Sequence, residues 1–286
     1  MTSPAAPEGS APATPLGSAP ATPLGSAPAT FEIRDRIGHL TLNRPDRLNA
    51  LVPDMEPAFR EALRAAATPE VKALVLRGEG RAFCAGGDIG WILENLQAGR
   101  SEDLKALLRL GSTVAHGLKT LPVPVIAVVQ GPCAGAGMSL ALSADLRIAT
   151  PDAKFSMAFV KLALHPDWGG SVMLQQLVNP SIALELMLTG DAIDAGRAHA
   201  LGLVNQIVDA EVLEDVVKVT AQRLAHGPAE AFARIKRSAL RNAGHTPESL
   251  LALLEEEGRQ MAEAIQSTDA REGLRAFLEK RAPKFA

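Results

Sequence analysis

Residues 123–145, VPVIAVVQGPCAGAGMSLALSAD, hold a strand, a glycine-rich turn and a helix start in direct succession. Val123, Val125, Ile126, Ala127, Val128 and Val129 form a near-continuous apolar run, the pattern of a strand covered on both faces. Gly131 ends it. Gly135, Ala136 and Gly137 carry little or no side chain, so backbone entering the next helix can approach a ligand and direct free N–H groups at it. A helix start of this kind attracts negative charge. The same small residues also suit a helix packed tightly on its strand, and this stretch alone leaves both readings open.

Upstream the chain alternates strand and helix. Residues 31–43, FEIRDRIGHLTLN, alternate apolar and polar on either side of Ile37 and Gly38, which predicts a hairpin turning there. A loop, 44–51, precedes a helix over 54–67 with Phe59, Ala62, Leu63 and Ala66 on one face, and 71–77, VKALVLR, reads as the next buried strand. Residues 78–89, GEGRAFCAGGDI, form a second glycine-rich loop at a strand's carboxyl end, where α/β folds gather ligands. Ser101 is placed to cap the following helix, whose Leu104, Leu107, Leu108 and Val114 recur at helical spacing. Downstream, 145–149 and 153–156 read as short strands, 158–167 as a connection and 169–178 as a helix. From Ala183 onward the pattern is helical: 183–188, 195–201, 212–225, 229–242, 247–266 and 269–280, broken at Gly227-Pro228. Such a run with no strand partners suits a subdomain or a subunit interface more than a catalytic core.

Composition narrows the function classes. The 286 residues are 47% hydrophobic, ample for a large core, and a formal charge of −3 argues against a nucleic-acid or anionic-membrane surface. Cys84 and Cys133 are the only cysteines, so no disulfide framework holds the fold and a reducing, cytoplasmic location is expected. No apolar run reaches membrane-spanning length. Residues 1–30 repeat GSAPATPL at 9–16 and 17–24, which predicts a disordered tail that is neither a secretory signal nor a transit peptide. The domain scheme is therefore a tail over 1–30, a core over 31–226 and a helical region over 227–286.

Neither a P-loop nor a GxGxxG fingerprint occurs, and metal-ligand spacing is absent. A serine hydrolase is a further alternative, since Gly137-Met138-Ser139-Leu140-Ala141 approximates a nucleophile elbow with His165, His199, His226 and His245 downstream. An elbow, however, places its serine at the strand end, and Ser139 lies well past Gln130. What remains is two loops offering backbone N–H donors to one oxygen, the arrangement that stabilises an enolate or a tetrahedral centre.

Five segments in order carry a resemblance: NRPDRLNAL at 43–51, AFCAGGDI at 82–89, PVIAVVQGPCAGAGMSLALSADLRIA at 124–149, LTGDAIDAGRAHALGLVNQIV at 188–208 and GLRAFLEKRAPKF at 273–285. From 31 to 285 the chain resembles the crotonase superfamily, the enoyl-CoA hydratases and isomerases. The resemblance implies an α/β fold, a spiral of repeated ββα units with a C-terminal α-helical trimerisation region, assembled as a homotrimer or homohexamer. It implies an acyl-CoA substrate, no cofactor beyond the coenzyme A that the substrate carries, and oxyanion donors at the N–H groups of Gly87 and Ala136. It further implies CoA contacts at Arg47, Leu48, Ala50, Ala85, Asp88 and Ile89, with Phe277 and Lys280 added from a neighbouring subunit.

Hydratases of this family carry two glutamates, which align here with Ser139 and Phe159. Neither side chain can activate water or deliver a proton, so efficient hydration is not expected. In the segment 155–170, FSMAFVKLALHPDWGG, the remaining carboxylate is Asp167, which matches the acid/base of several enoyl-CoA isomerases, including the ring-expanding isomerase of phenylacetate breakdown. It could instead cap the helix that follows. The function expected is a shift of a double bond from the 3 to the 2 position, with enoyl-CoA hydratase, a non-catalytic CoA-binding scaffold and serine hydrolase as alternatives. Asp88 reads first as a residue that fixes its loop, His165 and the two cysteines as packing residues, and Trp168 as a wall of the site.

Overall fold

A computed structural model describes residues 27–286; the repeat-bearing part of the tail expected to be disordered lies outside the described residues. Along the chain run β1 (Ala29–Arg34), β2 (Ile37–Leu42), α1 (Glu56–Ala66), β3 (Ala73–Gly78), α2 (Ile89–Gln97), α3 (Ser101–Thr120), β4 (Val125–Val129), β5 (Pro132–Ala134), α4 (Ala136–Leu142), β6 (Leu146–Ala149) and β7 (Lys154–Ser156). There follow α5 (Gly170–Leu177), α6 (Pro180–Thr189), β8 (Ile193–Asp194), α7 (Ala195–Ala200), β9 (Gln206–Ile207), α8 (Leu213–Ala225), α9 (Ala229–Asn242), α10 (Pro247–Ala264) and α11 (Thr268–Leu278).

Strand β4 is buried at all of its positions and sits inside a sheet ordered β1-β2-β3-β4-β6-β9. From β2 to β9 neighbouring strands run parallel, and β1 is the antiparallel edge. Alternate residues face opposite layers, which is why the strand reads as a continuous apolar run. Val125, Ala127 and Val129 join Phe59, Ala62, Val114 and Leu118 of α1 and α3 in one cluster, while Ile126 and Val128 join Val217 and Ala221 of α8 in another. A second sheet, β5-β7-β8, starts directly after the Gly131 turn. The architecture is mixed α/β, as the resemblance implies.

Several boundaries differ from the sequence reading. The hairpin turns at Asp35 and Arg36, both at positive φ (51° and 63°), and not at Ile37-Gly38, which already belong to β2. The ordered core begins before Phe31, because Ala29 and Thr30 pair with Leu42 and Thr41. Ser101 is the first residue inside α3 and makes no capping bond. Helix α2 was not foreseen. Two short strands, β8 and β9, lie between the expected helices of the C-terminal stretch, and the loop 158–167 contains a 3-10 turn at Ala158–Leu162.

The C-terminal helices pack against the core of their own chain. Helix α10 lies along α3 of its own chain, with Leu250, Leu254 and Met261 buried and the Ser112 hydroxyl donating to the Leu254 carbonyl at 3.0 Å. Helix α11 brings Phe277 over the same face.

Candidate active site

The two glycine-rich loops are joined by backbone hydrogen bonds. Cys84 N–H donates to Pro132 O at 3.1 Å and Ala134 N–H to Cys84 O at 2.9 Å, so the loops run as a short parallel ladder. Loop 44–51 braces this pair from the other side. Leu48 and Asn49 both take positive φ (50° and 56°), which aims the Leu48 carbonyl at Ala85 N–H (2.9 Å). The Asn49 amide, fully buried, donates to Glu79 O and Ala82 O at 2.9 and 2.8 Å. Leu51 N–H to Gly86 O and Asp88 N–H to Leu51 O (2.8 and 3.1 Å) flank Gly87 and turn its own N–H away from Leu51.

Ala136 is the first residue of α4, so its N–H has no acceptor in a preceding turn. Gly135 before it adopts φ 51°, ψ −129°, a region closed to side-chain-bearing residues. At Gly137 a Cβ would stand 2.3 Å from Cys84 O, so the close approach of the two loops depends on that glycine. Gly87 and Ala136 both border one cavity of about 280 Å³. Two N–H groups directed into one cavity can donate to a single developing oxyanion.

The rest of that cavity is almost wholly apolar. Leu104, Leu107 and Leu108 of α3 form one wall, Phe159 and Leu162 a second, and Met261 and Phe277 of the C-terminal helices the roof. Asp167 is the carboxylate among the lining residues. It is 6% exposed, and its Oδ1 has no hydrogen-bond partner among the described residues. Burial, and after it the like charge of Glu257, push the Asp167 carboxyl well above the usual carboxylate range.

Asp167 opens a tight turn. Its carbonyl accepts from Gly170 N–H at 3.0 Å, and the two residues between, Trp168 and Gly169, have φ of 55° and 83°, the pattern of a type I′ turn. Trp168 is strained there by about 1–3 kcal/mol. Its ring is held by an edge contact with Phe59, with centroids 5.9 Å apart, and lies against Gly111, where a Cβ would come within 2.5 Å. Trp168 also lines the cavity, as the sequence reading expected.

The sequence-named residues fall into two groups. Gly87, Ala136, Asp167, Ala85, Ile89 and Phe277 line the one cavity. Arg47, Leu48, Ala50, Asp88 and Lys280 do not; Arg47 and Lys280 are exposed, and Leu48 and Ala50 belong to the bracing loop. Phe277 borders the cavity of its own chain. Asp88 fixes its loop: it accepts from Trp91 N–H at 3.1 Å as the cap of α2 and pairs with Arg44 at 2.8 Å. Burial would raise its carboxyl, but the Trp91 N–H and Arg44 outweigh it and hold the group below its ordinary value.

Ser139 is fully buried and its hydroxyl donates to Gly135 O of its own helix, at 3.3 Å, so it is no exposed nucleophile. The Phe159 ring stands in the cavity wall. The sequence reading did not single out Arg44, Asn49 or Glu257. Glu257 had a signal: it continues the 250, 254, 261 stripe of α10, where an apolar side chain is the norm.

Residues 32–286 match the family model described as enoyl-CoA hydratase/isomerase. The chain is similar to a 1,2-epoxyphenylacetyl-CoA isomerase of Escherichia coli K12, 39% identical over 249 residues, covering 86% of this chain and 93% of the other. A probable enoyl-CoA hydratase of Rhodobacter capsulatus is 38% identical over 258 residues, covering 89% and 96%. The crystal structure of an enoyl-CoA hydratase from Mycobacterium avium subsp. paratuberculosis superposes with a TM-score of 0.78 at 34% identity, covering 91% of this chain and 99% of that one.

Proposed function

Because the chain belongs to the enoyl-CoA hydratase/isomerase family of the crotonase superfamily, we propose that it is an acyl-CoA isomerase that moves a double bond from the 3 to the 2 position. The observation that carries this reading is Asp167, a carboxylate with an unpartnered oxygen in the cavity that the Gly87 and Ala136 N–H groups also border.

The thioester oxygen accepts from those two N–H groups, which lowers the energy of the enolate formed when an α-proton leaves. The Asp167 carboxylate takes that proton from carbon 2, and the electron pair delocalises over the conjugated enolate. Asp167, now the acid, returns the proton to carbon 4, and the double bond comes to rest between carbons 2 and 3. No atom is gained or lost and no cofactor takes part. The raised Asp167 carboxyl suits this cycle, since a stronger base removes a carbon-bound proton more readily. Beyond the cavity, exposed Arg47 and Lys280 offer positive charge to the phosphates of CoA.

Hydration is the second reading, favoured by the names of several relatives. It needs a group to activate water, and at the two aligned positions stand the inward-bonded Ser139 and the Phe159 ring. Purified protein offered 3-hexenoyl-CoA and 2-hexenoyl-CoA separately distinguishes the two. We expect isomerisation of the first, reduced by roughly 10²- to 10⁴-fold in Asp167→Asn with binding of the ester retained. Hydration of the second at a rate unaffected by Asp167→Asn would refute the isomerase.

A further inference from the structure

Glu257 lies on α10, far along the chain from the turn that carries Asp167, and is 3% exposed. A carboxylate in that position is costly unless hydrogen-bonded. Glu257 accepts from Gly169 N–H at 2.6 Å, from Ser171 N–H at 2.8 Å and from the Ser171 hydroxyl at 2.6 Å. All three are donors, as an ionised carboxylate requires. They also bracket the start of α5, so the side chain grips the strained Trp168-Gly169 turn that presents Asp167.

We infer that Glu257 is a positioning residue of the Asp167 site: from α10 it fixes the turn that carries Asp167, and its negative charge ties the charge state of that carboxyl to the seating of the C-terminal helix. This rests on the acid/base reading of Asp167 given above. The unpartnered Asp167 Oδ1 supports it, because a carboxyl at which burial and the neighbouring Glu257 outweigh its single backbone donor, its own N–H, favours the neutral form. The other titratable groups nearby are few. His165 acts on Glu257 and bonds through Nδ1 to Pro166 O at 2.6 Å, and Lys161, at the cavity's edge, pairs with Asp191 at 3.2 Å. Neither intervenes between the two carboxyls as a hydrogen-bond partner.

The test is the pH profile of kcat/KM for 3-hexenoyl-CoA isomerisation by the full chain. As the base, Asp167 must be ionised, so the rate rises with pH as its proton leaves. Glu257→Gln removes the like charge, and the midpoint of that rise should move to lower pH. Ser171→Ala leaves both carboxyls in the chain while loosening the grip on the turn, and should lower kcat. An unmoved midpoint in Glu257→Gln overturns the inference.

Should that variant not fold, the coupling is read from the other side, since it is reciprocal. Infrared titration of the carboxyl bands should show Glu257 losing its proton at lower pH in Asp167→Asn than in the parent, and an unchanged titration overturns the inference as well. If Asp167→Asn still isomerises at the parental rate, the acid/base reading falls by itself, and the infrared comparison still decides whether the two carboxyls are coupled.

Discussion

Asp167 is held in a state that folding alone would not choose. Its carboxyl loses its proton at higher pH in the folded protein than in the unfolded chain, whose ordinary value is 3.8. Between those two values the folded state binds the extra proton, so this group's contribution to stability is fully present below 3.8 and is lost as pH rises through the folded value. Asp167→Asn lacks that loss. It should therefore melt above the parent at neutral pH and lose the advantage toward acid pH, which scanning calorimetry across pH would check; a variant less stable at neutral pH would contradict it. Asp167 was legible in the sequence because it stands in a recognisable segment next to Trp168-Gly169-Gly170. Glu257 was harder to see, because Glu255-Glu256-Glu257 has the composition of a solvated acidic run and its one signal is its place on the stripe of Leu250, Leu254 and Met261. The same limit applies to Asn49, whose importance lies in two carbonyls some thirty residues away.

Helices and strands with strong periodicity came through from sequence to structure with ends shifted by a residue or two, and β4 and α10 are examples. Helix α2 escaped because it is only nine residues long, Ile89–Gln97, and its start is set by a cap that also serves as an ion-pair partner. The Asp88 cap connects helix stability to the site, since the residue follows Gly87 directly. Asp88→Ala should cost about 1 kcal/mol of stability from the lost cap and should lower kcat through the displaced Gly87 N–H. Chemical denaturation and steady-state kinetics on one preparation read both. Unchanged kcat with lost stability would confine Asp88 to a structural role. The strand β1 shows the opposite failure: its first residues carry the Ala and Thr composition of the tail, and only their pairing with Leu42 and Thr41 shows where the core begins.

At the scale of the whole molecule, the chain folds its C-terminal helices onto its own cavity, yet it leaves apolar side chains on the outside. Leu184 and Leu188 of α6 are 52% and 69% exposed, and Ile235 of α9 is 62% exposed. We propose that these surfaces meet copies of the chain in a trimer or hexamer; light scattering at micromolar concentration should give a mass near three or six chains, and a monomer would contradict this. Among the described residues no helix is long and apolar enough to cross a membrane. The ladder that joins the two glycine-rich loops pairs Cys84 with Cys133, and both thiols are fully buried. Burial pushes the Cys84 thiol up to about 12 and raises Cys133 well above its ordinary value, so neither is a thiolate in the closed protein at neutral pH. A thiol-alkylating reagent can then react only when the ladder parts. Its rate becomes a clock for that opening, each tenfold slowing corresponding to about 1.4 kcal/mol, and it times the rigidity of the backbone around Gly87 and Ala136 with no substrate in the tube.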